Sequence, residues 1–514
     1  MINLPFFKKY GGLKILFVAP EAAPFAKAGG LAEVMFALPR ALKKNGHDVR
    51  VMIPRYAGID LEKFNLEMEL EGLQVPTDVE EEKENQPRYL TCNVRKYVPP
   101  EDAEEKNLPV FTYFLENLEY YEKRSNIYGY IDDAVRWALL CRGTLEFLRS
   151  SRWAPEIIVS SDWQTGFLPN YLRTAYKNDR QLKKTATVFI IHNLFFQGMF
   201  DHRYVPEMDF DDGQSSIPSF FNPRLLKVNG MRRGIMYSDI ISTVSSTYSK
   251  EIMTKDYGEF LDDLLKERRA RIYGVLNGID YDDFNPRTDK HLTENYDDDS
   301  LEKRTANKLE LQSRFGLAKD KDMPIVAIVS RLLEQKGLDL LFPVAESLLK
   351  ELGFQLIITG AGEAKYMGFF KDLADRFPAQ VGAHLIFDPV MPRAIYGGAD
   401  MILIPSKFEP CGLAQMEAMR YGVIPIVRKT GGLADSVQNF DPKTQKGTGF
   451  VFKDFDSMAM TISLIRAFEN YRNPAIWRKI QKNAMTKDFS WQKSAEEYEK
   501  IFGAAIDFRK HELE

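Results

Sequence analysis

Gly29-Gly30-Leu31-Ala32-Glu33 and Gly431-Gly432-Leu433-Ala434-Asp435 are nearly the same five residues, one set in each half of a 514-residue chain. Each follows an apolar run that reads as a strand or strand-edge loop, and each opens a helical pattern. Paired glycines let backbone come close to a bulky anion, and the helix behind them aims free N–H groups at it. Two such devices, far apart in sequence, imply two α/β domains closing on one diphosphate. The length agrees, since it exceeds what one ordinary core supports.

Apolar runs and breakers supply the organisation. Lys14–Ala19 reads as a buried strand, followed by a loop from Pro20 to Gly30 and a helix from Leu31 to Lys44. Pro39 sits inside that pattern and should kink it or shift its start. Gly46-His47-Asp48 ends the helix, and Val49–Ile53 is the next strand, so the segment is a right-handed βαβ unit with a parallel pair. Gln74–Asn107 is polar and acidic and reads as an irregular surface excursion with short strands near Arg88–Val98. Asp132–Arg149 is a helix. Ile157–Val159, Thr187–Ile191 and Asp239–Val244 are short strands ending in polar residues, as in an open parallel sheet that binds ligands at its carboxyl edge. Loop chemistry over Asn277–Arg287 places a hinge between about Gly274 and Lys290. A second series follows: strand Ile325–Val329, a helix from Gly337, then strands Gln355–Thr359, His384–Phe387, Met401–Ile404 and Ile424–Val427. The domains are therefore residues 1–275 and 276–490, with an amphipathic helix from Trp491 to the end expected to pack back on the first.

Composition narrows the function classes. Hydrophobic content is 44%, charged content 28% and net charge −4, which gives no overall attraction to nucleic acid or anionic lipid. Cys92, Cys141 and Cys411 are too few and too scattered for a disulfide framework or a metal site, which points to a reducing, cytoplasmic setting. Met1–Tyr10 lacks the order and length of a secretion signal, and no apolar run is long enough to span a membrane. The acidic runs Glu80–Glu82 and Asp297–Asp299 read as solvated loops, and no metal is expected.

Several segments carry chemistry. In Phe408-Glu409-Pro410-Cys411-Gly412-Leu413, Pro410 holds Glu409 extended in a loop after a strand, while Gly412 and Leu413 open a helix with Glu417 near its second turn. Two carboxylates so placed suit vicinal hydroxyls of two different sugars. The plainer alternative is a helix cap and a surface ion pair. Arg331 and Lys336 leave the end of an apolar strand together, as cations that could offset charge on a departing diphosphate or simply as exposed loop residues. Lys27 precedes the first glycine pair and Thr430 the second. His192 sits where a buried strand turns polar, and Asp162 follows another strand. Cys411 lacks a neighbouring His and reads as a packing group.

Taken together, Lys27–Leu31, His192–Gly198, Val275–Asp289, Ser330–Gly337, Pro405–Glu417 and Tyr421–Asp435 resemble the bacterial glycogen synthases and plant starch synthases. The resemblance runs from about Lys14 to the C-terminal helix. It implies a GT-B architecture, an α/β fold of two Rossmann-like domains facing a deep cleft. It also implies transfer of α-glucose from ADP-glucose or UDP-glucose to the non-reducing 4-hydroxyl of an α-1,4-glucan, with retention and without a metal or other cofactor. Arg331 and Lys336 would hold the diphosphate; Lys27, Gly29, Gly30, Thr430, Gly431 and Gly432 would add charge and backbone donors. Glu409 would bind glucosyl hydroxyls, with Cys411, Gly412 and Leu413 lining its loop and Glu417 near the ribose. His192 and Asn193 would face the transferred glucose and Asn277 the interdomain side, while Asp132, Asp133 and Asp162 stand on the acceptor side. The chain departs from the family pattern at Glu33, at Gln164 and over Asn229–Arg232. Competing readings are a transferase with another acceptor and a protein that binds glucan or nucleotide sugar without turnover. A dinucleotide oxidoreductase fits less well, because neither glycine pair belongs to a full glycine fingerprint.

Overall fold

The computed structural model describes residues 10–514 except 84, 104 and 105. Apart from Tyr10, the opening segment read above for a secretion signal lies outside the described residues. The chain forms two compact units. The first holds the described residues up to Val244, then Ser249–Val275 and Trp491–Glu514; the second holds Ser245–Tyr248 and Leu276–Ser490.

The first unit is built on nine strands: β1 (Lys14–Val18), β2 (Asp48–Pro54), β3 (Glu67–Pro76), β4 (Tyr89–Tyr97), β5 (Phe111–Glu116), β6 (Ile157–Ser161), β7 (Ala186–Ile191), β8 (Ile240–Thr243) and β9 (Ile272–Gly274). Their order is β3-β4-β5-β2-β1-β6-β7-β8-β9. Ile15, Leu16, Phe17 and Val18 of β1 are wholly buried, as a central parallel strand covered on both faces requires. The helix Gly30–Lys44 runs through Pro39 and starts at the glycine pair, so the proline does not displace its start.

Within the excursion expected over Gln74–Asn107, the strand expected near Arg88–Val98 is present as β4, and the sheet incorporates it. β3 pairs antiparallel with β4, β4 antiparallel with β5, and β5 joins β2 in parallel. Most of β3 faces solvent, with only Leu73 and Val75 buried. Its sequence alternates polar and apolar residues over Glu67–Glu71, as a strand does, although Met68 there is exposed.

The C-terminal helix Trp491–Leu513 belongs to this unit. Its buried Glu499 accepts from Asn45 Nδ2 at 2.6 Å and lies 3.3 Å from His47 Nε2, and Arg509 donates to the Lys183 carbonyl at 2.6 Å.

The second unit has six parallel strands: β10 (Ile325–Val329), β11 (Gln355–Thr359), β12 (Val381–His384), β13 (Met401–Ile404), β14 (Ile424–Arg428) and β15 (Phe450–Phe452), ordered β12-β11-β10-β13-β14-β15. Two expectations move here. The strand placed at His384–Phe387 is Val381–His384, in register with Leu356–Thr359. Ile386 and Phe387, which suggested it, are exposed in the following loop. In place of one helix from Gly337 there is a 3-10 turn, Leu338–Leu341, and then a helix, Ala345–Leu352. Phe342 keeps helical geometry at φ −52° and ψ −48°, and the break falls at Val344, at φ −124° and ψ −16°.

Successive parallel strands are added to opposite sides at β1 and β6 in the first unit and at β10 and β13 in the second, a reversal in each sheet. In open parallel sheets a ligand crevice lies beside the carboxyl ends of such a strand pair.

Candidate functional site

In the second unit the loops leaving β10 and β13 meet at that reversal. Lys336 Nζ lies 2.7 Å from Glu409 Oε2, which also accepts from Ser406 Oγ at 2.9 Å. The two loops are stitched by Lys407 N donating to the Gln335 carbonyl at 2.9 Å and Gln335 Nε2 donating to the Phe408 carbonyl at 3.2 Å. Gly337 has φ +65°, and a Cβ there would stand 2.2 Å from the Pro405 carbonyl oxygen. That glycine is needed for the close approach that puts Lys336 on Glu409. Glu409 is buried, and Lys336 is its ionic partner. Arg331 is exposed, and its guanidinium has no hydrogen-bond partner among the described residues. A cation left unpaired beside a half-buried ion pair is available to a ligand anion.

The loop after β14 closes on the same place. Gly431 has φ +42°, and a Cβ on it would lie 1.9 Å from the Glu409 carbonyl oxygen; one on Gly432 would lie 1.8 Å from that of Cys411. The Gly432 amide donates to the Glu409 carbonyl at 3.0 Å. This second glycine pair therefore has a nearer task than anion approach: it lets two backbone segments touch. The amide expected for the donor at Gly432 is already engaged in that contact, while the short helix Gly431–Ser436 does open at the pair. Gly412, also at positive φ, and Leu413 lead into the helix Ala414–Arg420, where Glu417 sits in the first turn and accepts from Tyr396 OH at 3.0 Å. Gln415 Nε2 ties the start of that helix to Ser436 Oγ at 3.0 Å. The Cys411 thiol is pushed up to about 12 by burial, against a backbone hydrogen bond from Asn277. That places Asn277 beside the Glu409 loop and leaves Cys411 a packing group. Asn277 Oδ1 is buried without a hydrogen-bond partner among the described residues.

In the first unit, the other reversal gathers a different set. The Gly29 amide donates to Glu21 Oε2 at 3.0 Å, the Ala28 amide donates to the same oxygen, and Lys27 pairs with Glu33. The nest expected for a ligand anion is thus occupied at Gly29 by a buried carboxylate of the chain itself, while Lys27 remains largely exposed. Tyr128 OH donates to Glu21 Oε1 at 3.2 Å. Asp162, at φ +55°, accepts from the amides of His192 at 2.7 Å and Asn193 at 3.3 Å. Burial pushes the Asp162 carboxyl up to about 7 against those amides, and burial pushes the His192 ring down to about 4. His192 Nε2 is buried with no hydrogen-bond partner among the described residues. Asp162 therefore fixes the backbone that presents a neutral imidazole. Asp133 is spent on Arg136 at 2.5 Å and the Gly129 amide at 2.9 Å, and Asp132 on Arg124 at 2.8 Å. Both hold local structure around the start of the helix Asp133–Ser150.

Sequence reading missed Glu21 and Tyr128, and also Gly360-Ala361-Gly362-Glu363. That loop follows β11, and its glycines press on the Ser330 and Leu332 carbonyls, setting the backbone on either side of Arg331. A short glycine-rich loop between a strand and the helix Ala364–Arg376 was the available signal. Among the described residues no three His, Cys, Asp or Glu side chains are grouped to hold a metal ion, and no helix is long and apolar enough to cross a membrane.

Known proteins resemble this chain over nearly its full length. Residues 14–267 match the family model for the starch synthase catalytic domain, and residues 310–484 match that for glycosyl transferases group 1. The chain is 40% identical to glycogen synthase of Thermotoga petrophila over 502 residues, covering 96% of this chain and 99% of the relative. It is 40% identical to glycogen synthase of Geobacillus stearothermophilus over 505 residues, covering 98% and 99%. The solved catalytic domain of starch synthase IV from Arabidopsis thaliana, bound to ADP and acarbose, superposes with a TM-score of 0.80 at 30% identity, covering 97% of this chain and 100% of that one. Sucrose-phosphate synthase from Thermosynechococcus elongatus, at 16% identity and a TM-score of 0.54, shares the fold. With two Rossmann-like units, a half-buried Lys–Glu pair at a sheet reversal and full-length relatives at this identity, the chain belongs to the glycogen and starch synthase family of GT-B glycosyltransferases.

Proposed function

We propose that this glycosyltransferase moves α-glucose from ADP-glucose to the non-reducing 4-hydroxyl of an α-1,4-glucan, with retention, as a cytoplasmic enzyme. The observation that carries the reading is the Lys336–Glu409 pair beside the unpaired Arg331. Bond cleavage at the glucosyl carbon puts negative charge on the leaving diphosphate. Fixed cations aimed at that charge stabilise the transition state more than the ground state. Arg331 and Lys336 are assigned this task, in place of a metal ion. Glu409, held by Lys336 and Ser406, retains acceptor capacity for glucosyl hydroxyls. Glu417 is assigned to the ribose, with Thr430 and Gly431 alongside the phosphates. From the first unit, Lys27 is assigned to the donor phosphates and His192 to the transferred sugar, and Asp162 positions His192 through its backbone. No second carboxylate stands as a glycosyl-enzyme nucleophile in this assignment, so attack on the same face is assisted by the departing phosphate.

ADP is favoured over UDP because the similar plant starch synthase domain was solved with ADP. Incorporation of labelled glucose from each donor into a glycogen primer tests both choices. Elongation from ADP-glucose at a higher kcat/KM than from UDP-glucose is expected. The reverse preference would reassign the base, and labelled glucose appearing only as free sugar or in a non-glucan product would reassign the acceptor.

A further inference from the structure

At the amino ends of β7, β8 and β9 in the first unit, arginines from separate elements come together. Arg173 closes the helix Phe167–Arg173, Arg268 and Arg271 belong to the turn that leads into β9, and Arg509 lies on the C-terminal helix. His192 follows the carboxyl end of β7, so this cluster stands at the opposite edge of the sheet from the residue assigned to the sugar.

Hydrogen bonds link the arginines to one another's neighbours. Arg173 Nη2 donates to Asp239 Oδ2 at 2.6 Å and to the Thr185 carbonyl at 2.9 Å. Arg268 donates to the carbonyl of Ser238, the residue before Asp239. Arg509 Nη2 donates to the nearby Lys183 carbonyl at 2.6 Å. Arg271 and Arg509 share Glu512, through Nη1 at 3.0 Å and Nη1 at 3.3 Å.

The charges do not balance. Asp239 is buried, and its Oδ2 also accepts from the Thr187 amide at 2.7 Å and from Thr187 Oγ1 at 2.9 Å, so it is spent on Arg173 and β7. Glu512 is then the carboxylate left for Arg271 and Arg509, and Arg268 bonds a neutral carbonyl; Glu267, next to Arg268 in the chain, is exposed. Arg173 Nε and Nη1, Arg268 Nε and Ser238 Oγ are buried with no hydrogen-bond partner among the described residues. Burial, opposed by Asp239 but reinforced by Arg509, holds the Arg173 guanidinium below the ordinary arginine range, and burial with Arg271 does the same to Arg268. Surplus positive charge and orphaned donors at one place call for an anion.

Glu512 marks where that anion would sit. Burial raises its carboxyl, but Arg271, then Arg173 and Arg509, outweigh burial and hold it below the ordinary carboxylate value. Its side chain is 41% exposed on the last turn of the helix Trp491–Leu513, and last turns fray. A carboxylate brings one charge and two oxygens in a plane. A phosphate brings more charge and a tetrahedral set of oxygens, which guanidinium groups arriving from several elements can meet in paired hydrogen bonds. We propose that this cluster binds a phosphate group, with Glu512 as the internal anion that the ligand displaces.

Calorimetric titration of the full-length protein at constant ionic strength tests the site, with inorganic phosphate and phenyl phosphate as probes. Binding of inorganic phosphate is expected, and it should be retained in Arg331→Ala, which removes the open cation assigned to the donor. Arg271→Ala should weaken it roughly tenfold or more. Glu512→Gln should tighten it about twofold to fivefold, the range that a partly exposed ion pair is worth. Arg271 and Glu512 both reach solvent, so these variants should keep the fold and basal glucan elongation. Phenyl phosphate binding as tightly as the free ion assigns the site to phosphate groups on larger molecules, and a much weaker ester assigns it to inorganic phosphate. No binding of either probe at millimolar concentration, loss of all binding in Arg331→Ala, full binding by Arg271→Ala, or unaltered affinity in Glu512→Gln would each overturn the proposal.

Discussion

At the scale of single residues, the decisive contrast is between cations with a partner and those without. Lys336 is held by Glu409, which fixes its ammonium in place, whereas Arg331 is left open. Replacing Lys336 by Ala removes a charge aimed at the transition state, so kcat should fall roughly tenfold or more. Steady-state kinetics with glycogen primer check this; an unchanged kcat takes Lys336 out of that role. A second prediction concerns pH. The Asp162 carboxyl is raised by burial from its ordinary 3.8 to about 7, so the stability it lends is complete below 3.8 and is lost as pH rises through about 7. His192 is depressed by burial from 6.5 to about 4, so its contribution is complete above 6.5 and is lost as pH falls through about 4. The two oppose each other between about pH 4 and 6.5. Asp162→Asn keeps the acceptor oxygen for the His192 and Asn193 amides but removes the first titration. Its stability should therefore climb more steeply with pH than that of the wild type over this window, as read by urea unfolding at stepped pH. Parallel curves would show that Asp162 does not titrate there.

At the scale of elements, the two glycine pairs that look alike in sequence differ in what surrounds them. A Cβ on Gly30 meets nothing within 4 Å, and its φ is ordinary, whereas a Cβ on Gly432 collides with the Cys411 carbonyl. Gly30→Ala should leave stability unchanged or raise it by a few tenths of a kcal/mol to about 1 kcal/mol, because Ala is the better helix former. Gly432→Ala should cost about 1–3 kcal/mol or more by forcing the β14 loop off the Glu409 loop. Thermal unfolding of both variants separates them, and equal losses would mean that backbone contact is not what requires glycine at 432. The elements also show which patterns are readable. β10, β11 and β13 lie as expected because strands buried on both faces are continuous apolar runs. β3 was missed although its sequence alternates, and β12 was placed too late because the exposed Ile386 and Phe387 carry the apolar run beyond its end.

At the scale of the whole molecule, two units with separate cores should unfold in more than one step, since a single two-state transition belongs to single domains. Glu499 gives a handle on one of them. It is buried in the first unit between Asn45 and His47, and Glu499→Ala leaves the buried His47 Nε2 unsatisfied, at about 1–3 kcal/mol. Calorimetry should show the first unit's transition lowered and the other unmoved, with Gly432→Ala doing the converse. A single transition shifted by both variants would mean that the units unfold together.

The sequence by itself determined the class of the fold, the family and the residues at the strand ends. Those rest on local properties: apolar runs, glycine and proline punctuation, and short motifs in fixed order. Only the tertiary structure decided which of those residues are available. Glu21 takes the Gly29 amide, Glu409 takes Lys336, Arg136 takes Asp133, and the partners lie between 3 and 73 residues apart in the chain. Asp133–Arg136 and Glu21–Gly29 are local pairs, within one helix and one loop, whereas Lys336 meets Glu409 only because the sheet order makes the ends of β10 and β13 neighbours, and spacing along the chain carries none of that.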